Sequence, residues 1–357
     1  LLIAVNKGSF YFKNALTNIM NLKEIFKTAV KEKASDAHLL VNQAPVFRVD
    51  GELIEPAGKK ISRKEMEDLV FSILSAEQKN IFRTNKELDF GFENEDGIRF
   101  RVNVCLEKDN IALVARLISP NIPTLEELEA PEVVKNLLDL KQGLILVVGP
   151  TGCGKSTTLA AMIGYLNNNY SYKIVTLEDP IEYIFTPEKS KIVQRQLGTD
   201  MLSFSEGLKH ALRQDPNVIM VGEMRDLETI SAAITLAETG HLVLATLHTY
   251  NAAQTIDRII DIFPAHQQNQ IRFQLSSILA GVISQRLAPK IGGGRVAVRE
   301  IMINTPAVSN LIREQKITQI ATAIETGSKE GMVSFRRDLE RLRKAKLIDK
   351  EVMRDAS

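Results

Sequence analysis

The 357 residues are enough for two domains, each able to bury a core of its own. Lys and Arg total 45 against 44 Asp and Glu, so no global field draws the chain to nucleic acid or anionic lipid, and any such partner must be met locally. The two cysteines, Cys105 and Cys153, lie far apart without a partner at metal-ligand spacing, which excludes a four-cysteine zinc site and suits a reducing cytosol, and no apolar run approaches the roughly 18 residues of a membrane span.

The opening LLIAV is broken by Asn6 and Lys7, so it does not read as a signal peptide, and residues 1–19 are expected to form a peripheral extension of a soluble protein. From Met20, Leu22, Ile25, Phe26, Ala29 and Val30 fall at helical spacing and open a first domain over 20–118. Residues 37–41 and 45–49 read as strands, followed by an Asp50-Gly51 hairpin turn, because both residues tolerate positive φ. A helix is predicted over 63–82. Ile98, Phe100, Val102, Val104 and Leu106 then alternate with Arg99, Arg101 and Asn103, the pattern of a half-buried strand. After a turn at Lys108-Asp109-Asn110, the run 111–117 alternates again. If Leu106 faces Ile111, the antiparallel register sets Arg101 opposite Arg116, and like charges so placed cost about 0.2–1 kcal/mol. An anionic group is therefore expected beside them, either a carboxylate such as Glu87 or Glu93 or a phosphate.

Three prolines in 119–131 read as a linker. A second domain is expected over 132–357. Apolar strands at 144–148, 173–177, 218–221 and 242–247 alternate with helical runs, which predicts a parallel sheet covered on both faces, and from about 306 the pattern is helical.

The segment Gly149-Pro150-Thr151-Gly152-Cys153-Gly154-Lys155-Ser156, followed by Thr157, fits G-x-x-x-x-G-K-[ST] between an apolar strand and a helix. Such a loop turns backbone N–H groups and a helix N-terminus onto phosphates, with Lys155 reaching the β/γ-phosphates and Ser156 able to ligate Mg²⁺, so ATP and Mg²⁺ are the expected cofactors. The run NVIMVGE ends an apolar strand on Glu223, which is expected to polarise the attacking water; Gly222 stands where an Asp commonly helps to hold the metal. Glu178 and Asp179, closing the strand of IVTLEDPIEY, are the candidates to supply that function. His248 closes LVLATL and is expected to touch or sense the γ-phosphate. His241, about 23 Å away along a straight strand, is given a structural or subunit-contact role. All these groups fall at the carboxyl ends of strands, where ligands bind in open α/β sheets. A charge-neutralising arginine from outside the site is still needed, and Arg101 and Arg116 are the candidates, with Arg99 in reserve.

Together ASDAHL, GPTGCGKST, LEDPIEY, VGEMRD, TGHLVLATLHT, TIDRIIDIFP, ISQRLAPK and GGGRVAVREIM make the chain from Met20 onward resemble the secretion-ATPase superfamily and, within it, the PilT-like pilus-retraction branch. The resemblance implies a smaller α+β, PAS-like domain followed by a RecA-like α/β domain, a homohexameric ring, and ATP-driven disassembly of a type IV pilus at the cytoplasmic base of the machine, against its inner-membrane platform protein. It is also consistent with Arg101 and Arg116 approaching the nucleotide. The extension and type II secretion branches usually carry a longer N-terminus and a tetracysteine insert, neither of which is seen here. AVSNLIRE has Ser309 where this branch usually has arginine. The basic residues Arg336, Arg337, Arg341, Arg343, Lys344 and Lys346 read first as a solvated helix face, with peripheral membrane docking as the alternative. A DNA-directed RecA-like motor would call for aromatic stacking residues and a basic channel, yet the chain has no Trp, so no nucleic-acid partner is expected. A non-hydrolysing nucleotide-gated scaffold is disfavoured by the presence of both Lys155 and Glu223.

Overall fold

The computed structural model describes residues 21–49, 51–56, 58–118 and 121–351. The chain divides into two compact units, Leu1–Pro120 and Asn121–Ser357. The extension at 1–19 and Asp50 of the expected turn lie outside the described residues.

In the first unit α1 (Leu22–Lys31) begins at Asn21, whose side chain accepts from the Glu24 N–H, and it buries Leu22, Ile25, Phe26 and Ala29. Then follow β1 (Asp36–Leu39), β2 (Val46–Val49), β3 (Glu52–Ile54), α2 (Arg63–Ile73), α3 (Ala76–Asn85), β4 (Glu87–Glu93), β5 (Arg99–Glu107) and β6 (Asn110–Ile118). The sheet has the order β3-β2-β1-β6-β5-β4, and every neighbouring pair is antiparallel. Phe100, Val102 and Val104 point into the core, where the Phe100 ring stacks on Phe26 with centroids 4.2 Å apart. Val49 pairs with Glu52, and Gly51 takes φ 91°, so the β2–β3 hairpin closes where the turn is expected.

Two expectations for this unit need correction. The single helix over 63–82 is two helices: Leu74 turns extended, and Ser75 starts α3 with a reciprocal cap in which its hydroxyl accepts from the Gln78 N–H and the Gln78 side chain accepts from the Ser75 N–H. The anion near the arginines also differs from the one expected. Leu106 does face Ile111, and Arg101 does face Arg116. The carboxylate, however, is Asp36, which accepts from Arg116 Nε at 2.8 Å, because β1 lies beside β6 and sets Asp36 opposite Arg116. Glu93 instead lies 3.9 Å from Arg99, and Glu87 accepts from Asn103.

The second unit runs α4 (Val133–Leu138), β7 (Gly143–Val148), α5 (Lys155–Asn169), β8 (Lys173–Glu178), β9 (Lys191–Gln196), α6 (Phe204–Ala211), β10 (Val218–Val221), α7 (Leu227–Glu238), β11 (Leu242–Leu247), α8 (Ala252–Asp261), α9 (Ala265–Ile278), β12 (Leu279–Pro289), β13 (Arg295–Ile303), α10 (Pro306–Arg313), α11 (Ile320–Thr326) and α12 (Phe335–Lys344). The sheet order is β13-β12-β7-β11-β10-β8-β9, with every neighbouring pair parallel except β12 and β13. β7, β10 and β11 are buried along their whole length, as their unbroken apolar runs require. One core lies on each face: one around α7, α8 and α9, the other around α4 and α5. β9, α8, α9, β12 and β13 were not anticipated as elements.

The segment 121–131, expected as a linker, is part of this unit's packed structure. Leu125 is buried with Leu137 and Ile163, Thr124 and Glu127 cap each other, and Arg299 donates to the carbonyls of Leu128 and Glu129 at 3.0 and 3.3 Å. In α12, Arg341 likewise turns inward, to Asp338 and the Glu129 carbonyl, while Arg336, Arg337, Arg343, Lys344 and Lys346 stay exposed. Ser309 donates to the Ser276 carbonyl at 2.7 Å and accepts from Arg313, so this position ties α10 to α9.

Candidate active site

The loop between β7 and α5 carries the phosphate-binding motif. Gly154, the N-cap of α5, takes φ 89°, a conformation that would strain any other L-residue. Lys155 is buried, and its ammonium donates to the carbonyls of Gly149 at 2.8 Å and Pro150 at 3.2 Å. Burial lowers its pKa, while the nearby Cys153, Glu223 and Glu182 oppose that shift. Thr151, Gly152 and Ser156 are exposed, and Thr157 shares a 3.1 Å hydrogen bond with the Tyr183 hydroxyl. Burial pushes the Cys153 thiol up, which fits a small packed side chain rather than an activated thiolate.

His248 stands at the carboxyl end of β11, between the other groups. Its Nδ1 lies 3.5 Å from both Lys155 Nζ and Thr151 Oγ1, and its Nε2 lies 3.2 Å from Glu223 Oε2. The other Glu223 oxygen meets Arg225 Nη2 at 2.6 Å. The parallel strands β7, β11 and β10 therefore deliver the cradle, His248 and Glu223 to one edge. His241, at the opposite end of β11, contacts the Leu236 carbonyl and Thr239.

Glu178 also closes a strand, β8, but its hydrogen bonds lead elsewhere. Its Oε1 accepts from Thr176 at 2.6 Å and from Gln194 at 3.1 Å. Burial raises its pKa, and those two donors partly offset the shift. Asp179 is exposed beside it. Among the described residues no three His, Cys, Asp or Glu side chains form a metal cage. The oxygens of Ser156 and Glu178 nevertheless have the hard-donor chemistry of a Mg²⁺ site, in which phosphates and water supply most of the ligands.

Four contributors had no assigned role in the sequence reading. Arg225 and Gln285 lie within quoted motifs, VGEMRD and ISQRLAPK, without a spacing rule to single them out. Thr176, within the expected strand 173–177, and Gln194, on β9, carry no local signal of a role. Gln285 is fully buried on β12, donates from Nε2 to the Cys153 carbonyl at 2.8 Å and accepts from Thr158 Oγ1 at 2.9 Å.

Residues 13–293 match the family described as "Type II/IV secretion system protein". The chain is 47% identical over 336 residues to the type IV pilus retraction ATPase PilT of Pseudomonas aeruginosa, covering 94% of this chain and 98% of that protein. It is 44% identical over 335 residues to a twitching motility protein of Neisseria gonorrhoeae, covering 94% and 90%. Its fold is similar to the crystal structure of the pilus retraction motor PilT with bound ADP, with a TM-score of 0.86, 44% identity and coverage of 95% and 97%. With a phosphate loop, an acidic strand end and a histidine strand end meeting at one sheet edge, and with relatives matched along nearly its whole length, the chain belongs to the type II/IV secretion system protein family.

Proposed function

We propose that the protein is an ATP-hydrolysing motor that drives retraction of type IV pili. The observation that carries this reading is the meeting of Lys155, His248 and Glu223 at the carboxyl ends of three neighbouring parallel strands. Near full-length similarity to a protein named as a pilus retraction ATPase supports it.

In this reading the loop from Pro150 to Thr157 wraps the phosphates with its backbone N–H groups, Pro150 having none to give, and Lys155 exchanges its loop carbonyls for β/γ-phosphate oxygens. Glu223 takes the proton of the attacking water, and His248, in reach of both Lys155 and Glu223, senses whether the γ-phosphate is present. Ser156 and Glu178, with Asp179 in support, would hold Mg²⁺. That ion would neutralise charge developing on the phosphates. Arg101, from the first unit of the same or a neighbouring subunit, would complete the site in a homohexameric ring, while its strand neighbour Arg116 is engaged by Asp36.

The motor would act on the inner-membrane platform of the pilus machine from the cytoplasmic side. Among the described residues no helix is long and apolar enough to cross a membrane. Glu223→Gln tests the reading in cells: hyperpiliated, non-twitching cells are expected, bald cells would indicate extension, and unchanged piliation would remove the proposal. In the purified protein this change should lower turnover by about 100-fold or more while ADP still binds.

A further inference from the structure

We propose that Gln285 is a positioning residue for the phosphate cradle: its side-chain amide holds the Cys153 carbonyl toward β12 and thereby turns the Gly154 N–H toward the bound phosphate. The inference rests on the reading of this loop as a nucleotide site. Its physical basis is the planar trans peptide, in which the carbonyl of one residue and the N–H of the next point in opposite directions. A donor that captures the Cys153 oxygen therefore orients the Gly154 N–H without touching it.

Three observations converge on this residue. Ser284 pairs with Val148, the last residue of β7, so the register of β12 places Gln285 beside the first residue of the loop. A Cβ on Gly149 would stand 2.3 Å from the Gln285 carbonyl oxygen, so that strand limits the entry of the loop to glycine. At the other end of the motif, a Cβ on Gly154 would stand 3.5 Å from Gln285 Nε2. The side chain is fully buried and both ends of its amide are used.

The amide orientation follows from its partners, since the Cys153 carbonyl can only accept and must face the NH₂ group. A primary amide supplies a donor and an acceptor without charge. Leucine would supply neither, and lysine or arginine would place a second cation beside Lys155.

A purely mechanical tie between β12 and α5 would serve equally through either half of the amide. Binding of a fluorescent ADP to Gln285→Glu and to Thr158→Val separates the two roles. The glutamate keeps an acceptor for Thr158 but, when ionised, offers only oxygens to the Cys153 carbonyl. At about pH 8 it is expected to weaken ADP binding at least about five-fold, more than Thr158→Val does. A buried carboxyl has a raised pKa and becomes a donor once protonated, so binding by Gln285→Glu should recover toward about pH 5.5, relative to the wild-type protein. A smaller loss, a loss equalled by Thr158→Val, or no recovery in acid overturns the proposal. Should Gln285→Glu not fold, Gln285→Met fills similar volume without the donor and must show the same loss at pH 8. Failure of the wild-type protein to bind ADP in this assay would instead sink the nucleotide reading of the loop.

Discussion

Glu178 is buried at the end of β8, and desolvation holds its carboxyl above the usual carboxylate range despite hydrogen bonds from Thr176 and Gln194. A carboxyl with a raised folded-state pKa favours folding below its unfolded value and withdraws that contribution as pH rises through the folded value. Glu178→Gln should therefore raise the melting temperature of the nucleotide-free protein at about pH 8, with the gain shrinking as the pH falls toward 5. Thermal melts at the two pH values check this, and an unchanged or lower melting point at pH 8 would contradict it. The same change should cost hydrolysis if Glu178 serves the metal, an exchange of stability for function that is common at sites. The cradle itself was legible because its residues are contiguous and its spacing is a local property. The partners of that cradle were not: Thr158 and Gln285 are separated by 127 residues, and no periodicity links them.

At the scale of elements, α12 is held by one fully buried carboxylate. Asp338 accepts from the Arg299 N–H at 2.7 Å and from Arg341 Nε at 2.7 Å, while Arg299 and Arg341 also reach the Glu129 carbonyl. A basic stripe read from the sequence as a solvated or membrane-facing surface thus has one member that docks the helix. Asp338→Ala removes the anion among these cations and should destabilise the second unit by about 3 kcal/mol, measured by urea unfolding. Arg336→Ala, on the exposed side of the same helix, should change it by less than about 0.5 kcal/mol. The division of 63–82 into α2 and α3 teaches the complementary lesson. Apolar spacing carried the helix through Leu74, yet the Ser75 and Gln78 pair was present as a start signal, and the local cap prevailed over the longer period.

For the whole molecule, the two arginines on neighbouring strands are not equivalent. Arg116 is engaged by Asp36, which is itself nearly buried, whereas among the described residues Arg101 makes no hydrogen bond or ion pair. In the proposed function Arg101 is therefore the arginine assigned to the nucleotide. Arg101→Ala should lower ATP turnover by about 100-fold or more with little change in ADP binding, as for an arginine that meets only the charge of the transition state. Arg116→Ala should act chiefly on stability, by about 1 kcal/mol, because it leaves the Asp36 carboxylate without its cation. Steady-state kinetics with unfolding curves for both variants test this split, and equal effects on turnover would contradict it.

The chemistry of the phosphate loop, the apolar strands that present it and the register that opposes Arg101 to Arg116 were all determined by the sequence, because each depends on near neighbours and on the periods of helix and strand. The pairing of β1 with β6, which gives Arg116 its carboxylate, and of β12 with β7, which brings Gln285 under the loop, belongs to the tertiary structure. So does the packing of 121–131, whose prolines suggested a free connection and whose buried Leu125 shows otherwise. Contacts between distant segments depend on which surfaces cover one another in the folded chain, and that order is written in no local pattern.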